Sequence, residues 1–128
     1  MTQAGAFPSH VTTLPGRRRR GLLSHAGQSY DVGSAEELAA VAKDEAETLR
    51  ALADGARQAG VKIDEISVGS TATAMLSASE PDLTELRPGN YVYYDRSQVA
   101  IGSASLDDCA LSVMATVVRK PASNRLVL

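Results

Sequence analysis

The strongest pattern in the chain is a stripe of apolar residues at helical spacing. Leu38, Val41, Ala42, Leu49, Leu52, Ala53 and Ala56 recur with a period of about 3.6 residues, while Glu36, Lys43, Asp44, Glu47 and Arg50 fall mostly on the other face. Ser34 followed by Glu37 has the spacing of a capping box, which satisfies free N–H groups of the first turn, and Gly60 is a natural C-terminal stop. Ahead of this helix, "GLLSHAGQSYDV" predicts a short buried strand at Leu22 and Leu23 that ends near His25 and Gly27. Behind it, residues 61–68 read as a second strand. A strand–helix–strand unit with short connections makes its two strands parallel neighbours. Ligand sites in such architectures lie in the loops at the C-terminal ends of the strands, where residues 25–30 and 69–73 both fall.

Beyond this unit the pattern changes twice. "LTELRPGNYVYYD" places apolar and aromatic residues around a turn at Pro88 and Gly89, with the N–H groups of Gly89 and Asn90 as candidate free donors. "CALSVMATVVRKPASNRLVL" is rich in β-branched residues and lacks helical spacing. It predicts a strand from about residue 110 to 119, a turn at residues 121–124, and a second strand running to Leu128. At the other end, "MTQAGAFPSHVTTLPGRRRR" shows no period and predicts a loop or an unstructured arm. Its Arg17 to Arg20 run reads as solvated charge, with an anion or nucleic-acid contact as the alternative.

Composition narrows the function classes. The chain has 128 residues, enough for one domain with a real core, and a net charge of −2 that gives no general attraction to nucleic acid. With four Tyr, one Phe and no Trp, a base-stacking platform is a poor fit. A lone Cys109 excludes an internal disulfide and fits a reducing cytosol. Together with His10 and His25 it does not make a closed zinc site. No apolar run approaches the ~20 residues of a membrane span, and no signal-peptide core precedes the arginines. A cytoplasmic chain with no nucleic-acid or membrane partner is therefore expected.

The candidate chemistry sits in "DEISVGSTATAM". An apolar strand breaks at Gly69 and continues with Ser70, Thr71 and Thr73. Gly, Ser and Thr are ordinary turn formers. A glycine-opened turn leading into a helix also offers N–H groups and hydroxyls to a phosphate. By itself the segment leaves both readings open.

Taken together and in order, "GLLSHAGQSY", "ISVGSTATA" and "TELRPGNYVYYD" resemble the D-threonine aldolase and D-serine dehydratase family. These are pyridoxal-phosphate enzymes of the alanine-racemase-like fold, a (β/α)8 barrel followed by a β domain. "DCALSVMATVVRKPASNRLVL" resembles the start of that β domain. The resemblance implies an α/β fold: a partial (β/α)8 barrel, late strands only, followed by the beginning of a β domain. Residues 1–20 would be a non-family arm, 21–104 the cofactor-binding barrel segment, and 105–128 the first β-domain strands. Gly69, Ser70 and Thr71 match the family's phosphate-binding loop. Gly89 and Asn90 match the turn whose N–H groups reach the same phosphate. Arg87 is placed to approach the cofactor ring or to make a structural salt bridge, Tyr30 to line the cofactor, and His25 to line the substrate side.

The resemblance also implies what this chain lacks. The family attaches its cofactor to a lysine on the first barrel strand, and none of Lys43, Lys62 and Lys120 stands in a matching context. The divalent metal is held in the family by a His with a Cys or Asp late in the β domain, and those ligands have no counterpart here. No catalytic residue is therefore assigned, and the cofactor site is expected to be incomplete. The expectation is a truncated piece of a dimeric lyase for D-3-hydroxy amino acids, inactive alone and prone to self-association. The alternative is a non-catalytic anion-binding or interaction module.

Overall fold

Ser34 fixes where the long helix begins. Its Oγ accepts the Glu37 N–H at 3.2 Å, and Glu37 Oε2 reaches back to the Gly33 N–H at 2.7 Å, one residue before the usual capping-box partner. The computed structural model describes residues 8 and 10–128, and in it α1 runs over Ala35–Gln58. The apolar stripe buries Leu38, Ala42, Ala46, Leu49, Ala53 and Ala56. At the other end Gly60 takes φ +77°. Its N–H bonds the Arg57 carbonyl, and the Val61 N–H bonds the Ala56 carbonyl. These two bonds are the Schellman closure, and its left-handed position is one that glycine occupies without steric cost.

Three strands, β1 (Gly21–Leu23), β2 (Glu65–Val68) and β3 (Glu85–Leu86), form one sheet in the order β1-β2-β3. Both pairings are parallel, with Leu22 opposite Ile66 and Ser67 opposite Glu85. Leu49, Ala53 and Ala56 of α1 pack on Val61, Ile63, Ile66 and Val68, with Leu22 and Leu83 at the margin. Side chains alternate along a strand, so Ile66 and Val68 face α1 while Ser67 points to the opposite face. Arg50 joins the helix to the turn before β3, through Asp82 at 3.1 Å and the Pro81 carbonyl at 3.2 Å. Short helices α2 (Ala74–Ser77) and α3 (Arg96–Ala100) follow β2 and β3, and a hairpin of β4 (Arg119–Ala122) and β5 (Arg125–Val127) closes the chain.

Several expectations are corrected here. The second strand shrinks from residues 61–68 to 65–68, because Val61 and Ile63 enter the core from an extended approach without ladder bonds. Leu23 is 68% exposed at the end of the sheet's outer strand, while Gly21 and Leu22 before it share a small hollow with Pro8 and Val11. Residues 110–118 form no strand: they are exposed and meet no ladder, with only the end N–H groups taken, Ala110 by the Tyr93 carbonyl and Val118 by the Val127 carbonyl. Only the hairpin forms, with Pro121 inside β4 and the turn at Ser123 and Asn124. The arm does not extend unstructured to residue 20, for Arg20 pairs with Glu65 and its carbonyl accepts the Asp64 and Glu65 N–H groups. Residues 1–7 and 9 of that arm lie outside the described residues.

Candidate functional site

Three parallel strands end at one edge of the sheet, and their three following segments are tied together there. From the β2 end, Ser70 and Thr71 turn inward and are buried, as are Gly69 and Thr73. Buried hydroxyls need partners. Ser70 Oγ lies 3.0 Å from Ser29 Oγ, in the 3-10 turn Gly27–Tyr30 after β1. Thr71 Oγ1 accepts the Asn90 N–H at 2.9 Å, from the turn after β3.

Arg87 crosses beneath this junction. Its N–H continues the ladder to the Val68 carbonyl at 2.8 Å, its Nε donates to Ser67 Oγ at 2.7 Å, and its Nη2 reaches the Ser24 carbonyl. Ser67 in turn donates to Glu85. The guanidinium lies so close to Gly69 that a Cβ there would stand 3.0 Å from Nη1 and 3.1 Å from Cζ. Glycine at 69 is what lets a cation sit against the loop.

The turn after β3 is braced from its far side. Asn90 Nδ2 donates to Asp95 Oδ2 at 2.8 Å, and Asp95 Oδ1 caps α3 by accepting the Gln98 N–H at 3.0 Å. The Gln98 N–H, then the Asn90 amide, hold the Asp95 carboxyl below the usual aspartate range against a smaller opposing effect of desolvation. One expectation is overturned here. The Asn90 N–H is not a free donor, because Thr71 Oγ1 already accepts it. Among the described residues, no hydrogen bond takes the N–H groups of Ser70, Thr71 or Gly89. The buried Ser77 Oγ has no partner either.

Gly69, Ser70, Thr71, Arg87 and Asn90 are thus brought together, with Gly89 adjoining. His25 and Tyr30 lie on the loop after β1. His25 opens onto a cavity of about 300 Å³ shared with Asp44 and Glu45 of α1, and Tyr30 ends its turn partly exposed. Sequence reasoning missed Ser24, Ser29, Ser67 and Glu85. Only Ser67 carried a signal, as the polar residue alternating between Ile66 and Val68. Lys43 pairs with Glu47, Lys62 with Asp64 at the opposite end of β2, and Lys120 lies in β4. Among the described residues no cluster of three His, Cys, Asp or Glu side chains is placed to hold a metal ion.

Comparisons with known proteins point the same way. Residues 2–97 match the family model described as alanine racemase, N-terminal domain. The chain is 41% identical over 103 residues to D-threo-3-hydroxyaspartate dehydratase of Delftia sp. (strain HT23), covering 80% of this chain and 27% of that protein. The solved structure of that dehydratase superposes with a TM-score of 0.72 over 80% of this chain and 27% of its own. D-serine dehydratase of Dictyostelium discoideum is 32% identical over 114 residues, covering 85% and 29%. D-threonine aldolase of Arthrobacter sp. is 31% identical over 126 residues, covering 96% and 33%. The chain therefore spans about a third or less of the length of each of these relatives.

Proposed function

The chain belongs to the alanine racemase N-terminal domain family, and on that premise we propose that it carries the phosphate-binding part of a pyridoxal-phosphate site. The parent activity is that of a D-amino-acid lyase, of D-threonine aldolase or D-serine dehydratase type, acting on D-3-hydroxy amino acids. One observation carries the reading. Three strand-end segments converge on Gly69, where a cationic Arg87, buried Ser70 and Thr71, and the N–H groups of Ser70, Thr71 and Gly89 are available together. A phosphate dianion calls for such preorganised donors with little steric bulk, so these residues fit the group.

When bound, pyridoxal phosphate supplies an electron sink for negative charge at the substrate Cα. The residues of this chain bind and orient. Ser70, Thr71 and Gly89 would hold the phosphate, Arg87 would set the charge beneath it, and Tyr30 and His25 would line the cofactor and substrate sides. None of the three lysines bonds to these strand-end segments, Lys43 pairing with Glu47 and Lys62 with Asp64, so the chain alone is proposed to bind without turning over substrate. Residues 21–104 would correspond to a late part of the barrel and 105–128 to the start of the β domain, in a cytoplasmic dimeric enzyme. The lysine and the metal ligands would lie in the part of the relatives that this chain does not span.

The test uses 4′-deoxypyridoxine 5′-phosphate, which keeps the phosphate but has no aldehyde for exposed lysines to capture. Titration followed by amide NMR is expected to give saturable shifts at Ser70, Thr71 and Gly89, with none from unphosphorylated pyridoxine. Thr71→Val removes the hydroxyl at nearly constant volume. It is expected to weaken binding by ~1.5–3 kcal/mol, the worth of one charge-assisted hydrogen bond. Unchanged affinity in that variant would overturn the loop assignment. Equal binding of inorganic phosphate would reduce the site to a simple anion site.

A further inference from the structure

The cavity between α1 and the loop after β1 shares His25 with the proposed substrate side but none of the phosphate-loop residues, and it contains an unusual group. Glu45 occupies the apolar stripe of α1, one turn from Ala42 and from Leu49, and is only 6% exposed. Among the described residues neither of its buried carboxylate oxygens has a hydrogen-bond partner. A buried carboxylate left in this condition is costly, and the ordinary remedy is a cation with donors. The described Arg and Lys side chains of the neighbourhood are committed elsewhere: Arg50 to Glu80 and Asp82, Lys43 to Glu47, Arg57 to Asp54, and Arg87 to Ser67 and Ser24; His25 lines the same cavity but makes no hydrogen bond to Glu45. Beside Glu45 is an open cavity of about 300 Å³, lined also by Ser24, His25, Gln28, Asp44 and Thr48. Its polar walls carry acceptors and a second carboxylate, and it includes the exposed Leu23 on β1, a strand that pairs on one side only among the described residues.

We infer that this cavity is a binding site for an alkylammonium or alkylguanidinium head, with Glu45 as its counter-ion and Asp44 and Thr48 as further acceptors. The head can belong to a free small molecule, or to an arginine or lysine on a strand that pairs with the open edge of β1. The chemistry at Glu45 is the same in both. A planar guanidinium donates two parallel N–H bonds to one carboxylate, which satisfies both orphaned oxygens at once.

The experiment titrates the whole chain with ethylguanidinium chloride at constant ionic strength and follows amide shifts. N-ethylurea serves as the neutral isostere. Saturable shifts confined to residues 24–28 and 44–49, from the cation alone, are expected. Glu45→Gln should weaken the interaction by about tenfold or more, while the unliganded variant melts no lower than the parent. A structural role for Glu45 would instead lower the melting temperature. Should Glu45→Gln fail to fold, Thr48→Leu fills the cavity, leaves Glu45 in place, and is expected to abolish binding. Response to N-ethylurea equal to that of the cation, or parental affinity in the folded variants, would overturn the site. An extended apolar peptide with a central arginine, compared with its citrulline twin, identifies the source. Binding far tighter than ethylguanidinium and lost in the citrulline form assigns the head to a pairing strand. Binding no tighter assigns it to a small molecule.

Discussion

Two glycines mark where single atoms govern the fold and the site. At Gly21 a Cβ would collide with the carbonyl of Glu65, the residue opposite in the β1–β2 register. Backbone cannot yield as a flexible side chain can. Gly21→Ala is therefore expected to cost more than about 2 kcal/mol, read as a shift in the urea midpoint. At Gly69 the obstacle is Arg87, whose Cβ would also lie 3.3 Å from the new atom. Gly69→Ala should cost ~1–3 kcal/mol and displace the guanidinium from Ser67 and Ser24, visible in the Arg87 Nε resonance. The importance of Gly69 was legible in the sequence, as a glycine that ends an apolar strand. Its partner was not. Ser24, Ser29 and Arg87 are separated from Gly69 by helix and turn, and no local spacing encodes which distant side chain fills the space a missing Cβ leaves.

At the scale of elements, the helix was the most legible part because its stripe, its N-cap and its glycine stop agree. Ser34→Ala is expected to destabilise the chain by ~1 kcal/mol, checked by thermal or urea unfolding, since it removes the acceptor of the Glu37 N–H. The same period contains Glu45, whose burial follows from its place between Ala42 and Leu49. The cap of α3 has a different dependence. Asp95 has its carboxyl pKa depressed by the Gln98 and Asn90 donors, so its contribution is fully present above the unfolded aspartate value of about 4. It is lost as pH falls through the lower folded value. Amide shifts of Asn90 and Gln98 should therefore titrate together on the acid side of that range, and Asp95→Asn should flatten the change at Gln98. The residues from 110 to 118 were misread because β-branched composition records compatibility with a strand, and a strand also requires a partner.

For the molecule as a whole, the exposed apolar surface is concentrated after residue 110. Leu111, Val113 and Met114 are largely exposed, Met114 at 99%, and among the described residues no strand pairs with the outer edge of β1. Such surface favours self-association. Sedimentation velocity is expected to show mass rising with protein concentration, and Leu111→Lys with Val113→Lys to reduce the rise. A monomer at every concentration would count against this reading of the surface. The sequence by itself determined the elements whose signals are local: the capped amphipathic helix, the parallel strands on either side of it, and the glycine–hydroxyl loop at a strand end. Periodicity and capping act within a few residues, so they can be read along the chain. Tertiary structure alone decided that Thr71 takes the Asn90 N–H, that Arg87 lies on Gly69, and that Glu45 is buried without a partner. Each of those depends on which segments the parallel register brings to one edge of the sheet, a relation between distant residues that no local pattern carries.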